Sequence, residues 1–343
     1  MEAQIDTRLE QLRNWLAACA ASGVPSLPPD RPFFLSPASA DASFRRYFRI
    51  SAGGQTWIAM DAPPEREDCR PFVRVAALLR EAGLNTPQVL AQDLERGFLL
   101  LSDLGSTTYL DALDDSNADA LFRDAIEALI RMQCASRPGV LPPYDGALLR
   151  RELDLFPEWY VARHRGMRLD DTQKQALGDV TALILKSNLS QPAVYVHRDY
   201  MPRNLMVSTP NPGVLDFQDA VYGPISYDVA SLFRDAFISW PEERALDWIV
   251  RYWEKARRAG LPVHADFGEF YRDLEWMGLQ RHLKVLGIFA RINYRDGKPG
   301  YLKDTPRFVA YVDAVCARYP ALAPLARLMD QIEARGVKVG YTF

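Results

Sequence analysis

Hydrophobic and polar positions follow two different periods along this 343-residue chain, and the change falls near residue 105. Residues 4–21 place Ile5, Leu9, Leu12, Trp15 and Leu16 at helical spacing, and Gly23, Pro25, Pro28, Pro29 and Pro32 end that helix. Phe33–Leu35 then reads as a strand, the small polar stretch Ser36–Ser43 as a loop, and Phe44–Ile50 as a second strand. Gly53-Gly54 is a hairpin turn leading to a third strand over Thr56–Met60. Arg70–Ala82 is an amphipathic helix with Phe72, Val75, Ala76 and Leu79 on one face, and Gly83 stops it. Val89–Ala91 and Gly97–Leu101 are two further short strands.

Beyond residue 105 the period is helical. Helices are expected over 119–134, over 149–163 with a bend at Pro157, and over 171–186. Others are expected over 242–259, 266–295, 305–318 and 321–335. One segment interrupts them: apolar Ala193–Val196, polar 197–204, apolar Leu205–Val207, a Ser-Thr-Pro-Asn-Pro-Gly turn, and Val214-Leu215-Asp216-Phe217. It reads as a polar loop feeding a short β-hairpin. Gly223–Arg234 follows as a helix started or capped by Asp228. There is no internal repeat. The expectation is an α+β, bilobal chain, with a small N-terminal β-sheet lobe (1–104) and a larger, mostly helical C-terminal lobe (105–343).

Composition narrows the function classes. With 48% hydrophobic and 25% charged residues, this is ordinary globular material. A net charge of −3 without a basic run argues against nucleic acid as a partner. Cys19, Cys69, Cys134 and Cys316 lie far apart, which suits reduced thiols and a cytoplasmic setting. The N-terminal stretch lacks the basic start and apolar core of a secretory signal. No apolar run is long enough to cross a membrane. No obligate protein partner is evident.

The chemistry concentrates in His197-Arg198-Asp199-Tyr200-Met201-Pro202-Arg203-Asn204 and in Asp216-Phe217. Phosphoryl transfer from ATP needs a carboxylate to orient or deprotonate the attacking hydroxyl and oxygen ligands for Mg²⁺ on the phosphates. The spacing H-R-D-x-x-x-x-N supplies Asp199 as base and Asn204 as metal ligand, and Asp216 opens Asp-Phe-Gln where a protein kinase has Asp-Phe-Gly. Hard oxygen donors suit one or two Mg²⁺. The plainer reading is a structural hairpin with turn-forming acids. The joint occurrence of all these features favours the kinase. The strand, loop, strand, turn, strand order is then a kinase nucleotide lobe, and backbone around Ser102, Asp103 and Leu104 becomes the hinge that hydrogen-bonds adenine. As a simple strand end, the same residues need no ligand.

With these residues in hand, the chain resembles the aminoglycoside phosphotransferase and choline kinase superfamily of small-molecule kinases. His197–Asn204, Asp216 and Tyr227-Asp228-Val229-Ala230 carry that likeness. The stretches 43–50, 60–68, 197–207, 214–235 and 279–302 are most similar to its bacterial kinases of N-acetylmuramate and N-acetylglucosamine. The resemblance implies a protein-kinase-like fold, ATP as co-substrate, and phosphorylation of the anomeric hydroxyl to the α-1-phosphate in peptidoglycan recycling. It implies that His197 and Asp228 brace the catalytic loop. The alternatives are a kinase of another small hydroxyl compound (an aminoglycoside, choline or an amino-alcohol) and a catalytically inactive nucleotide-binding module.

The departure from the kinase pattern lies in strand 56–60. No Lys ends it, and helix 70–82 has only Glu81 at its far end, so the usual Lys–Glu pair on the phosphates is absent. Arg45, Arg46 and Arg49 are candidate replacements. Strand alternation puts Arg45, Tyr47 and Arg49 on one side, and Arg46 on the other with Phe44, Phe48 and Ile50. Arg46 is the first choice because its face otherwise points inward. Arg203 is a candidate for substrate or phosphate, or else a surface ion pair. Arg163 and Arg281, in stretches rich in basic and aromatic residues, are candidate acceptor contacts, which suits a sugar bearing a carboxylate. Solvated helix faces carry such arginines too.

Overall fold

The computed structural model describes residues 6–23, 27–28, 32–39 and 44–334. Helix α1 (Thr7–Ala21) precedes strands β1 (Phe34–Ser39), β2 (Arg46–Ala52) and β3 (Gln55–Asp61), helix α2 (Arg70–Glu81), and strands β4 (Val89–Asp93) and β5 (Phe98–Ser102). Helices α3 (Tyr109–Ala112), α4 (Ala118–Cys134), α5 (Gly146–Leu153) and α6 (Asp171–Leu189) follow. Strands β6 (Ala193–Val196), β7 (Leu205–Met206), β8 (Gly213–Val214) and β9 (Val221–Pro224) come next. The chain closes with helices α7 (Tyr227–Phe233), α8 (Glu242–Arg258), α9 (Phe267–Asp296), α10 (Thr305–Arg318) and α11 (Ala323–Ile332). It divides into two compact units, Met1–Arg131 with Arg203–Asp219, and Met132–Pro202 with Ala220–Phe343.

The first unit is an antiparallel sheet in the order β1-β2-β3-β5-β4. Gly53 and Gly54 turn β2 into β3 with φ of 59° and 81°, a pair of left-handed conformations that needs residues without a Cβ. Alternate residues of the strands divide the labour. Ile50, Trp57, Ala59, Phe98 and Leu100 pack against Leu12, Trp15, Leu16 and Cys19 of α1. Tyr47, Arg49, Ile58 and Leu101 occupy the opposite face. Strand β1 runs on to Ser39, over part of the stretch read as loop, because Ser36 and Pro37 pair with Arg49 and Phe48. Residues 40–43 of that stretch lie outside the described residues.

The β7–β8 hairpin belongs to this unit, which therefore runs past residue 104 and takes back 203–219. Backbone bonds hold it there: Val207 N–H to Thr107 O at 2.9 Å, and Val214 N–H to Asn85 O at 2.8 Å.

The second unit is helical apart from β6 and β9, which pair antiparallel. Strand β9 takes the start of the segment read as helix 223–234, and α7 begins only at Tyr227. The expected helix 149–163 is two elements. Helix α5 ends at Leu153, and Phe156–His164 winds as a π-helix, with Arg165 N–H reaching back five residues to Tyr160 O at 2.9 Å. Pro157 has no N–H for the Leu153 carbonyl, so α-helical bonding cannot pass through it. Helix α9 is the spine of the unit; its Leu279, Leu283, Leu286 and Ala290 are buried among α6, α10 and α11. A Cβ on Gly287 would lie 2.4 Å from the Leu155 carbonyl carbon, so glycine is needed where α9 meets that backbone. Among the described residues, no helix is long and apolar enough to cross a membrane.

Candidate active site

A cavity of about 260 Å³ opens in the first unit, between the sheet face opposite α1 and the hairpin. Tyr47, Arg49, Ile58 and Leu101 wall one side, Ser102–Ser106 cross it, and Arg203, Asn204, Met206, Leu215 and Asp216 form the other. Apolar residues interspersed with a few charged and polar ones suit a flat aromatic ring joined to a charged tail. Ser102 is committed: its N–H donates to Gln88 O at 2.9 Å, and its hydroxyl accepts Gln88 N–H at 2.8 Å. Asp103 binds Arg49 at 2.7 and 3.2 Å and accepts Gly105 N–H at 2.9 Å. Burial opposes its charge, but Arg49 and Gly105 hold the Asp103 carboxyl below the usual range.

Asn204 and Asp216 meet in this cavity, with Asn204 Nδ2 3.4 Å from Asp216 Oδ2. The other Asp216 oxygen accepts Gln218 Nε2 at 2.8 Å. Asp216 has φ of 61°, a left-handed conformation rare outside glycine, and is held by its neighbours: Leu215 N–H donates to Asn204 O at 2.9 Å, and Phe217 packs against Phe72 of α2, the rings tilted by 39° with centroids 4.9 Å apart. A carboxylate and a side-chain amide in one cavity bring together the hard oxygen donors that Mg²⁺ takes. No three His, Cys, Asp or Glu side chains gather into a metal-holding group among the described residues.

The loop carrying Asp199 is built in the second unit. Asp228 does not cap α7. It lies at the second helical position, fully buried, and accepts His197 N–H at 2.7 Å and Arg198 N–H at 3.0 Å. Burial pushes the Asp228 carboxyl up to about 7, against the pull of those two amides. Arg198 has φ of 76°. Its guanidinium meets Glu152 of α5 at 2.5 Å, and Lys284 of α9 meets the same carboxylate at 3.0 Å. Tyr144 and Gln280 also donate to Glu152. Burial raises the Glu152 carboxyl, but Lys284 and Arg198 outweigh it and bring it down to about 2. His197 is buried, and its Nδ1 accepts Asp199 N–H at 3.3 Å. Asp199 itself is half-buried.

The sequence candidates divide accordingly. Asn204, Asp216, Ser102, Asp103, Leu104 and Arg203 line the cavity, and His197 and Asp228 hold the Asp199 loop. Arg46 is a correction. Its side chain lies on the α1 face, where it bonds Asp6 and meets Asp61 at 2.5 Å. Asp61 is wholly buried and needs that cation together with Arg8, so the inward-pointing face is a structural one. Arg163 is exposed on the π-helix. Arg281 is buried, with Met201 Sδ at 3.7 Å and Arg234 O at 3.4 Å. The Glu152–Arg198–Lys284 cluster leaves no signal in the sequence, because no spacing rule links three separated segments.

Comparison with known proteins adds to this geometry. The phosphotransferase enzyme family model matches residues 35–267. The chain is 56% identical over 332 residues to the N-acetylmuramate/N-acetylglucosamine kinase of Pseudomonas aeruginosa, covering 95% of this chain and 97% of that one. The kinase of the same name from Neisseria meningitidis serogroup B is 49% identical over 339 residues, 97% of this chain and 98% of that one. Among solved structures, an ethanolamine kinase of Plasmodium vivax superposes with a TM-score of 0.61 at 11% identity, over 96% of this chain and 97% of that one, a likeness of fold.

Proposed function

The chain belongs to the phosphotransferase enzyme family, and from that membership we propose that it transfers the γ-phosphoryl group of ATP to the anomeric hydroxyl of N-acetylmuramate and N-acetylglucosamine. The observation that carries this reading is the 56% identity, over 95% of the chain, to a kinase of that name. The product is the α-1-phosphate, and the role is cell-wall recycling in the bacterial cytoplasm.

The acceptor oxygen attacks Pγ in line, the bond from Pγ to the β,γ-bridging oxygen breaks, ADP leaves, and the hydroxyl proton passes to Asp199 late in transfer. Asp199 orients that hydroxyl before it accepts the proton. Asn204 and Asp216 would hold Mg²⁺, which supplies charge neutralisation on the phosphates. Their closeness in the cavity, 3.4 Å, supports the assignment. The adenine contacts fall to the backbone of Asp103 and Leu104, since the Ser102 N–H is already bonded. His197 and Asp228 position the loop. Arg203, at the cavity wall, is the candidate for substrate or phosphate. The exposed Arg163 is open to solvent and to an acceptor carboxylate, whereas the buried Arg281 acts from beneath the loop.

The test is ADP release with Mg²⁺–ATP and a panel of acceptors. N-acetylmuramate and N-acetylglucosamine should support turnover, and their 1-O-methyl glycosides, whose anomeric oxygen is blocked, should not. Preference for an aminoglycoside, choline or an amino-alcohol would contradict the reading.

A further inference from the structure

Kinases of this fold place a lysine against the ATP phosphates and steady it with a glutamate from the following helix. The first unit contains no lysine at all, since the first Lys in the chain is Lys174 and none falls in 203–219. Whatever cation meets the phosphates from this unit is an arginine. Three stand on or beside β2, and two are committed elsewhere. Arg46 is on the α1 face with Asp61 and Asp6. Arg49 is bound through both its Nε and Nη2 to Asp103, and through Nη2 also to the Gly105 carbonyl at 2.8 Å.

Arg45 differs from both. It immediately precedes β2, and its guanidinium is hydrogen-bonded to Tyr47, which walls the cavity together with Arg49. Its Nη2 lies 3.1 Å from Glu67 Oε2, and the two side chains are 12% and 20% exposed. Burial works against the Arg45 charge, and Tyr47, Glu67 and Asp216 more than offset it. Glu67 stands three residues ahead of α2, the helix whose Phe72 packs on Phe217 beside Asp216. A cation, its carboxylate and the Asp-Phe turn are thereby tied to one helix. Lys and Glu have this arrangement in a kinase, but here the cation is moved from the third strand to the start of the second.

We infer that Arg45, oriented by Glu67, binds the ATP phosphates in place of the missing lysine–glutamate pair. A guanidinium suits this position because it can bond a carboxylate along one edge and a phosphate along another, which the compact ammonium of lysine does less well. The inference rests on the kinase reading above, but its test needs no sugar.

Binding of adenosine and of Mg²⁺–ATP is measured by calorimetry for the wild type, Arg45→Ala, Arg45→Lys, Glu67→Gln and the Arg45→Ala/Glu67→Gln double variant, each checked for folding by thermal melting. The wild type should bind Mg²⁺–ATP more tightly than adenosine. Arg45→Ala should lose about 10- to 100-fold in affinity for Mg²⁺–ATP with adenosine unchanged. Arg45→Lys should recover part of the loss. Glu67→Gln should lose less, and the double variant no more than Arg45→Ala alone. If Arg45→Ala does not fold, Arg45→Gln carries the same comparison. A folded Arg45 variant that binds Mg²⁺–ATP as the wild type does, or that loses adenosine and ATP equally, overturns the inference. A wild type that binds no nucleotide overturns the kinase reading instead.

Discussion

The buried carboxylate of Asp228 holds the main-chain N–H of Arg198 at 3.0 Å, one residue before Asp199 and at a backbone angle that arginine seldom adopts. The same carboxylate takes the His197 N–H at 2.7 Å. Two amides on one anchor, together with the Glu152 grip on the Arg198 side chain, fix where the loop turns. The φ of 76° is maintained by these contacts against its intrinsic cost of about 1–3 kcal/mol.

Asp228→Asn keeps the shape but offers one acceptor where two are used. A small shift of the loop should lower kcat by about 100-fold, with KM for ATP unchanged, because the residues that line the nucleotide cavity belong to the first unit and Asp228 to the second. Steady-state kinetics with ATP varied separates the two effects, and a rise in KM for ATP without loss of kcat would contradict the positioning role.

Glu152→Gln should destabilise the protein by about 3 kcal/mol at pH 7. The wild-type carboxyl sits at about 2 in the folded chain, below the 4.5 of the free group, so its contribution is present above pH 4.5. It is lost as pH falls from there toward 2. Urea midpoints of wild type and variant should therefore converge on acidification from pH 7 to pH 3. A constant gap would mean the ion cluster is not the source.

Arg46→Met tests the structural assignment of that residue. Asp61 would keep Arg8 but lose its second cation, for a cost of about 1–2 kcal/mol. The KM for ATP should stay at the wild-type value. A large rise in KM would restore Arg46 to the nucleotide.

Asp216→Ala should raise the Mg²⁺ concentration for half-maximal activity by at least ~10-fold, and Asn204→Ala should do the same less strongly. Titrating Mg²⁺ at fixed ATP measures both. Unchanged metal dependence would remove Asp216 from that task.

Much of this is legible in the sequence. The alternation along β2 puts Tyr47 and Arg49 on one face and Arg46 on the other, and the structure has them so. The identity of the two faces was not legible. Helix α1 covers one of them, and its Asp6 and Arg8 complete the ion group around Asp61 from some 40 to 55 residues away in the chain. His197, Asp199, Asn204 and Asp216 announce themselves by spacing, since the loop and hairpin that carry them are local. Glu152 and Lys284 do not, because burial of a charge is a property of the packed helices α5 and α9, and no window of sequence contains both. The break at Pro157 is visible in the sequence, but the π-helical winding of Phe156–His164 is not.

The central claim is that Asp199 directs ATP's γ-phosphoryl to an anomeric hydroxyl. Phosphorus NMR of the purified protein with Mg²⁺–ATP and N-acetylmuramate tests it most directly, with Asp199→Asn alongside. The account predicts a new sugar 1-phosphate resonance rising as ATP gives way to ADP, absent from the variant, whose Mg²⁺–ATP affinity stays near the wild type's. ADP without a sugar phosphate in the wild type, or a 1-phosphate formed equally by Asp199→Asn, would contradict it.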